Sequence, residues 1–123
     1  MTLTISHMTG VTEPPVRDIT IGHLLREAAA AVPDRLAMLE GITNPDARRE
    51  WTYAELLGEA EQCARGLLAR FEPGDRIAVW AHNIPEWVIL EYGCALAGMI
   101  LVTVNPAFRS HERLGWLIDD AAG

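Results

Sequence analysis

WVILEYGCALAGMILVTV, Trp87 to Val104, carries a single charge, Glu91, in eighteen residues. A membrane-spanning helix needs about twenty consecutive apolar residues, so the reading of this stretch separates a lipid-anchored chain from an α/β one. Its punctuation favours the second. Asn83 precedes Pro85 and Glu86, which together read as a helix start with an acidic first turn. The helix then runs EWVILEYGCALA and meets Gly98, a natural C-terminal stop. MILVTV follows, apolar with a β-branched tail, and Asn105-Pro106 ends it. A membrane helix would place Glu91 near its centre at a cost of about 2.5–3.5 kcal/mol. The stretch therefore reads as half helix and half strand, and no transmembrane segment is expected.

The residues upstream supply the rest of the pattern. RIAVWA, beginning at Arg76, reads as a strand apolar on both sides of the pleat, as in the interior of a parallel sheet. With the helix and MILVTV it makes a βαβ unit, expected to be right-handed with parallel strands. Before it, WTYAELLGEAEQCARGLLARF is the clearest helix of the chain. Thr52 and Glu55 form a capping box, and Leu56, Ala60, Cys63, Ala64, Leu67, Leu68 and Phe71 recur at helical spacing. Pro73-Gly74 breaks the chain after it. Near the N-terminus Thr20 caps IGHLLREAAAAV, which stops at Pro33 with Leu24, Leu25, Ala28 and Val32 on one face. LAMLE reads as a short buried strand, and GITNPDARRE as a polar turn or hairpin tip broken at Asn44-Pro45. A last helix is expected from Ser110, with Leu114, Leu117 and Ile118 on one side. Residues 1–17 read as a flexible arm.

Composition narrows the function. The chain has 123 residues, half of them apolar and 22% charged, enough for one domain with a core. Its net charge of −7 excludes a nucleic-acid surface, which needs clustered positive charge. All ten basic residues are Arg and none is Lys. No Schiff base and no lysine on a transferred phosphate can come from these residues. Cys63 and Cys94 sit in apolar helical patterns and read as buried, reduced thiols. The first residues have neither the basic start nor the long apolar run of a secretory signal.

Candidate chemistry is sparse. In open parallel sheets ligands bind beyond the carboxyl ends of the strands, where HNIPEW and NPAFR lie. His82 is the best-placed titratable residue there, although a loop histidine that orders its own turn is the plainer reading. Asn83 reads as a helix cap and Trp87 as core. GCALAG has the glycine spacing of a phosphate loop, but Met99 and Ile100 stand where Lys and Ser/Thr are required. Ser110-His111-Glu112 are adjacent and point apart, so capping accounts for them better than a triad. The four histidines lack metal-ligand spacing. Arg48-Arg49 read as solvent-exposed hairpin-tip charge, and Arg109 as surface charge. No catalytic residue and no metal site is assigned.

The order of several short motifs resembles the N-terminal portion of the adenylate-forming, AMP-binding acyl-CoA synthetases. They are Thr52-Tyr53 with Glu55-Leu56, Pro73-Gly74-Asp75-Arg76, Asn83-x-Pro85-Glu86-Trp87, Ala97-Gly98, Val104-Asn105-Pro106 and the closing Leu117-Ile118-x-Asp120. The likeness covers residues 18 to 122, and VNPAF is similar to the fatty-acyl or carboxylate–CoA ligase branch. It implies an α/β class: a partial layered sheet-and-helix fold that opens the family's large N-terminal domain, with residues 18–123 an incomplete segment of it.

The resemblance further implies a two-step reaction in the full-length parent. A carboxylate attacks ATP to give acyl-adenylate and pyrophosphate, and the thiol of CoA then displaces AMP. ATP, Mg²⁺ and CoA are cofactors of that parent; none is expected to be bound by this segment, because the phosphate loop and catalytic lysine follow later in the family's chains. One carry-over is a CoA-side loop at Asn105, Pro106 and Ala107; read without the resemblance, the same residues are a strand-ending turn. The expected partner is the remainder of a synthetase chain, or a second copy through surfaces left uncovered. A free-standing α/β binding module from a truncated ligase gene is the alternative, and a regulatory partner of a full-length ligase a third reading. The expected location is cytoplasmic, with membrane-peripheral contact open to the parent.

Overall fold

The computed structural model describes residues 9–107. In chain order they form α1 (Ile21–Ala31), β1 (Leu36–Leu39), a 3₁₀ turn (Pro45–Ala47), β2 (Glu50–Thr52), α2 (Tyr53–Leu68), β3 (Arg76–Trp80), α3 (Pro85–Ala97) and β4 (Ile100–Val104). The class is α/β, as expected. The helix foreseen from Ser110, with Arg109, lies outside the described residues.

The opening stretch divides as its punctuation indicates. Pro85 sits in the first turn of α3, where its missing N–H costs nothing, with Glu86 beside it. Gly98 ends the helix in the left-handed conformation, φ 73°, and its N–H donates to the Cys94 carbonyl. Few side chains other than glycine's absence of one tolerate that geometry. β4 follows at once and pairs in parallel with β3, from Arg76↔Ile100 to Trp80↔Val104. Two hydrogen bonds clasp the starts of both strands: Gly74 N–H to the Gly98 carbonyl at 2.8 Å, and Ile100 N–H to the Asp75 carbonyl at 2.9 Å. No helix among the described residues is long and apolar enough to cross a membrane.

α2 begins on the foreseen capping box. Glu55 N–H donates to Thr52 Oγ1 at 3.2 Å, and Thr52 N–H donates to Glu55 Oε2 at 2.8 Å. The Thr52 N–H, and then the Thr52 hydroxyl donating to the same Oε2 at 2.9 Å, hold the Glu55 carboxyl below its usual range. The helix ends at Leu68, earlier than the apolar spacing suggests; Phe71 closes a turn by donating to the Leu67 carbonyl at 2.9 Å. The three residues before the helix form β2, antiparallel to β1, with Met38 opposite Trp51. GITNPDARRE is therefore the tip of a hairpin whose second strand runs straight into a helix, with Thr52 serving both.

α1, α2 and α3 enclose one core cluster with the hairpin: Leu25, Trp51, Leu56 and Ala60 are buried, and Met38, Ile89 and Leu96 pack on them. A second cluster, Ala64, Cys94, Ala97 and Met99, lies between the helices and the parallel strands, reached by Ile77 and Leu101. The α2–α3 seam is close because Gly93 faces Cys63: a Cβ on Gly93 would lie 2.6 Å from Cys63 Sγ. A similar approach sets the face of α1. A Cβ on Gly22 would meet Leu96 Cδ2 at 3.0 Å, so Gly22, Leu25 and Ala29 turn inward. Leu24, expected on the inner face, is 48% exposed.

β3 departs from its expected setting. Ile77 and Val79 are half-buried toward the helices, but Arg76, Ala78 and Trp80 alternate onto a face that the described residues leave open. Trp80 is 56% and Ile100 48% exposed on it. The strand is composed for two-sided burial and receives one side.

Candidate functional site

Beyond the carboxyl ends of β3 and β4 lies a cleft of about 340 Å³. Its wall comes from the β3–α3 loop (Ala81, Asn83), the first turn of α3 (Trp87) and the run from Thr103 to Pro106. The parallel register brings these segments together, because both strands end level at Trp80 and Val104. Of the expected loop, Asn105 and Pro106 line the cleft and Ala107 does not. The Asn105 side chain is engaged locally: Oδ1 accepts from Ala107 N–H at 2.9 Å, closing a turn. His82, favoured by topology, is exposed and stands outside the wall.

Asn83 of the β3–α3 loop and Trp87 of the first turn of α3 stand differently from their expected places. The cap position of α3 belongs to Ile84 and carries no side-chain cap bond, so Asn83 is not a cap. Asn83 and Trp87 instead line both this cleft and a second one of about 430 Å³. Trp87, expected in the core, is half-buried. The signal was available: both residues closely follow a strand end, where such sheets expose their ligand-facing groups.

The second cleft lies between the hairpin and the start of α3. Met38, Leu39 and Ile42 form one wall, and Ile84, Pro85 and Val88 the other. Arg49, expected as solvent-exposed hairpin-tip charge, is exposed and also bridges these elements. Its guanidinium donates to Glu40 at 2.8 and 3.0 Å and also to the Glu86 carboxylate, and it lies 5.2 Å from the Trp51 ring centre. The bond to Arg49 holds both carboxyls below their usual range and raises the guanidinium in turn. Arg48 is likewise engaged, donating to the Ile42 carbonyl at 3.0 Å across the hairpin tip.

Among the described residues the cleft at the strand ends offers an indole, two amides and a hydroxyl, and no titratable side chain. Gly93 and Gly98 of GCALAG cannot cradle phosphate, since Gly93 is buried against Cys63 and Gly98 ends a helix instead of opening one. Burial pushes the Cys94 thiol up to about 11 and raises Cys63, which disfavours the reactive thiolate in both. Among the described residues no three His, Cys, Asp or Glu side chains gather as a metal site. These groups do not fit a magnesium-bound triphosphate, which needs cations or backbone N–H groups aimed at its oxygens.

Residues 25–122 match the family described as AMP-binding enzyme. The chain belongs to that family. This chain is 39% identical over 115 residues to the mitochondrial medium-chain acyl-CoA ligase ACSF2 of Danio rerio, covering 90% of this chain and 18% of that protein. It is 38% identical over 104 residues to the acyl-CoA ligase SID4 of Ajellomyces capsulatus, covering 84% and 17%. Among solved structures it is similar to the N-terminal domain of FACL13 from Mycobacterium tuberculosis, with a TM-score of 0.70, 28% identity and coverage of 85% of this chain and 26% of that one. The chain thus spans less than a fifth of the length of these curated relatives. Its parallel β3–α3–β4 unit is that of the N-terminal subdomain of adenylate-forming enzymes.

Proposed function

We propose that this chain is the opening scaffold of a fatty-acyl-type carboxylate–CoA ligase and is catalytically silent by itself. In the full-length parent a carboxylate oxygen attacks the α-phosphorus of ATP, releasing pyrophosphate, and the CoA thiol then displaces AMP from the acyl-adenylate. The observation that carries the reading is the family match over residues 25–122 in a chain without a single lysine. The open face of β3–β4 agrees with it, because a strand built for two-sided burial calls for further layers. On this reading residues 18–123 are an incomplete domain segment and residues 1–17 a flexible arm. The partner is then the rest of a synthetase chain, or a second copy when that is missing. A cytoplasmic location is part of the same proposal.

The purified 123-residue chain is expected to give no carboxylate-dependent ATP–pyrophosphate exchange above a heat-killed control; exchange above it would overturn the reading. The loop Asn105, Pro106 and Ala107 enters as a CoA-side surface, with Asn105 and Pro106 lining the strand-end cleft and Ala107 closing the turn beside it. In the full-length enzyme Asn105→Ala is expected to raise KM for CoA several-fold while leaving ATP–pyrophosphate exchange unchanged. Equal loss in both half-reactions would assign the loop a purely structural part.

A further inference from the structure

We propose that Arg49 is a latch that holds the β1–β2 hairpin against the start of α3 and so sets the width of the apolar cleft between them. Among the described residues Arg49 is the one cation that engages two carboxylates at once, and the two belong to opposite walls. Glu40 follows β1, and Glu86 stands in the first turn of α3, 37 positions along the chain from Arg49. The fork takes Glu40 through Nε and Nη2 at 3.0 and 2.8 Å, and takes Glu86 through Nη1, with Nη2 also donating to Glu86 Oε2 at 3.3 Å. The Trp51 ring beneath, 5.2 Å from the guanidinium carbon, restricts where that fork can swing.

The hairpin has little else to hold its tip. The apolar packing lies at its base, where Trp51 is 6% exposed and Met38 packs beside it. Gly41 and residues Thr43 to Ala47 are exposed. Glu40 and Arg49 are also joined through the backbone, Glu40 N–H donating to the Arg49 carbonyl at 2.9 Å. The latch therefore sits on the last backbone-to-backbone pair across the hairpin, with the Arg48 bond to the Ile42 carbonyl beyond it joining the tip only to itself. Releasing it frees the wall formed by Leu39, Glu40 and Ile42 and leaves the helical core in place.

Hydrogen–deuterium exchange on the whole chain tests this, comparing residues 39–50 with the core amides of α2 and α3. Glu86→Gln keeps the shape and takes the charge and one acceptor oxygen from one arm of the latch; Arg49→Met removes both arms. Exchange across residues 39–50 is expected to rise about threefold in Glu86→Gln and about tenfold in Arg49→Met, with the helical amides unchanged. Arg49→Lys, which keeps the charge and loses the fork, is expected to fall between wild type and Arg49→Met. Unchanged hairpin exchange in Glu86→Gln would overturn the proposal, as would a uniform rise over hairpin and helices. If Arg49→Met does not fold, the Glu86→Gln result decides alone.

Discussion

The α2–α3 seam and the outer face of β3–β4 are built from the same apolar alphabet and meet opposite fates. At the seam Ala60 is wholly buried, Cys94 is 1% exposed, and glycine lets the helices approach until no atom could be added. On the outer face an indole and an isoleucine stand about half in water. Hydrophobic composition alone therefore does not say what is core. The seam closes because both helices, separated in sequence only by β3 and its loops, are present to pack on each other; the sheet face waits for something the described residues do not provide.

The sharpest way to break this contrast is to truncate both regions. Leu56→Ala, at a site 4% exposed, is expected to cost about 3 kcal/mol through lost burial and a residual cavity, read as a fall in chemical-denaturation midpoint. Ile100→Thr on the open face is expected to stay within about 0.5 kcal/mol. Equal losses would mean that the face is covered in solution by something intramolecular. Trp80→Ser asks the complementary question. Sedimentation velocity should show the wild-type chain self-associating and the variant shifted toward monomer, with thermal unfolding little changed. A wild-type chain that is monomeric at all concentrations would contradict an exposed, adhesive face.

The smallest expected effect concerns pH. Glu40, Glu55 and Glu86 are all held below their usual carboxyl range in the folded chain, the first and last by Arg49 and Glu55 by Thr52. Groups depressed by folding stabilise the native state above their unfolded pKa, about 4.3, and that stability is lost as pH falls through their lower folded values. Because all three are at the surface, the loss should be slight and partly screened by salt. A denaturation midpoint that rises between pH 5 and pH 3 would reverse the sign.

Much of this was legible in local chemistry. The capping box at Thr52 and Glu55, the proline start of α3 and the glycine stop at Gly98 each satisfy or omit particular backbone groups, so short motifs sufficed. β2 was hidden because three residues are too few to show a period, and its last residue is also a helix cap. The inward turn of α1 was missed because a glycine, with no hydrophobic signal of its own, marks the closest approach. Arg49 could not be paired from sequence: one of its carboxylates lies 37 residues away, and contacts at that range leave no spacing rule. Trp87 was misassigned because an indole looks the same in a core pattern as in a cleft wall.

The clasp at Gly74, Asp75, Gly98 and Ile100 acts as a common datum line for both parallel strands. Because β3 and β4 leave that line together and run in step for five rungs, the height of Asn105 above the sheet is dictated at the far end. A single residue inserted into β4 would lift the Asn105 turn by roughly 3.3 Å and swing its side chain to the opposite face. The distant glycine turns thus carry a metric duty for a surface they never touch.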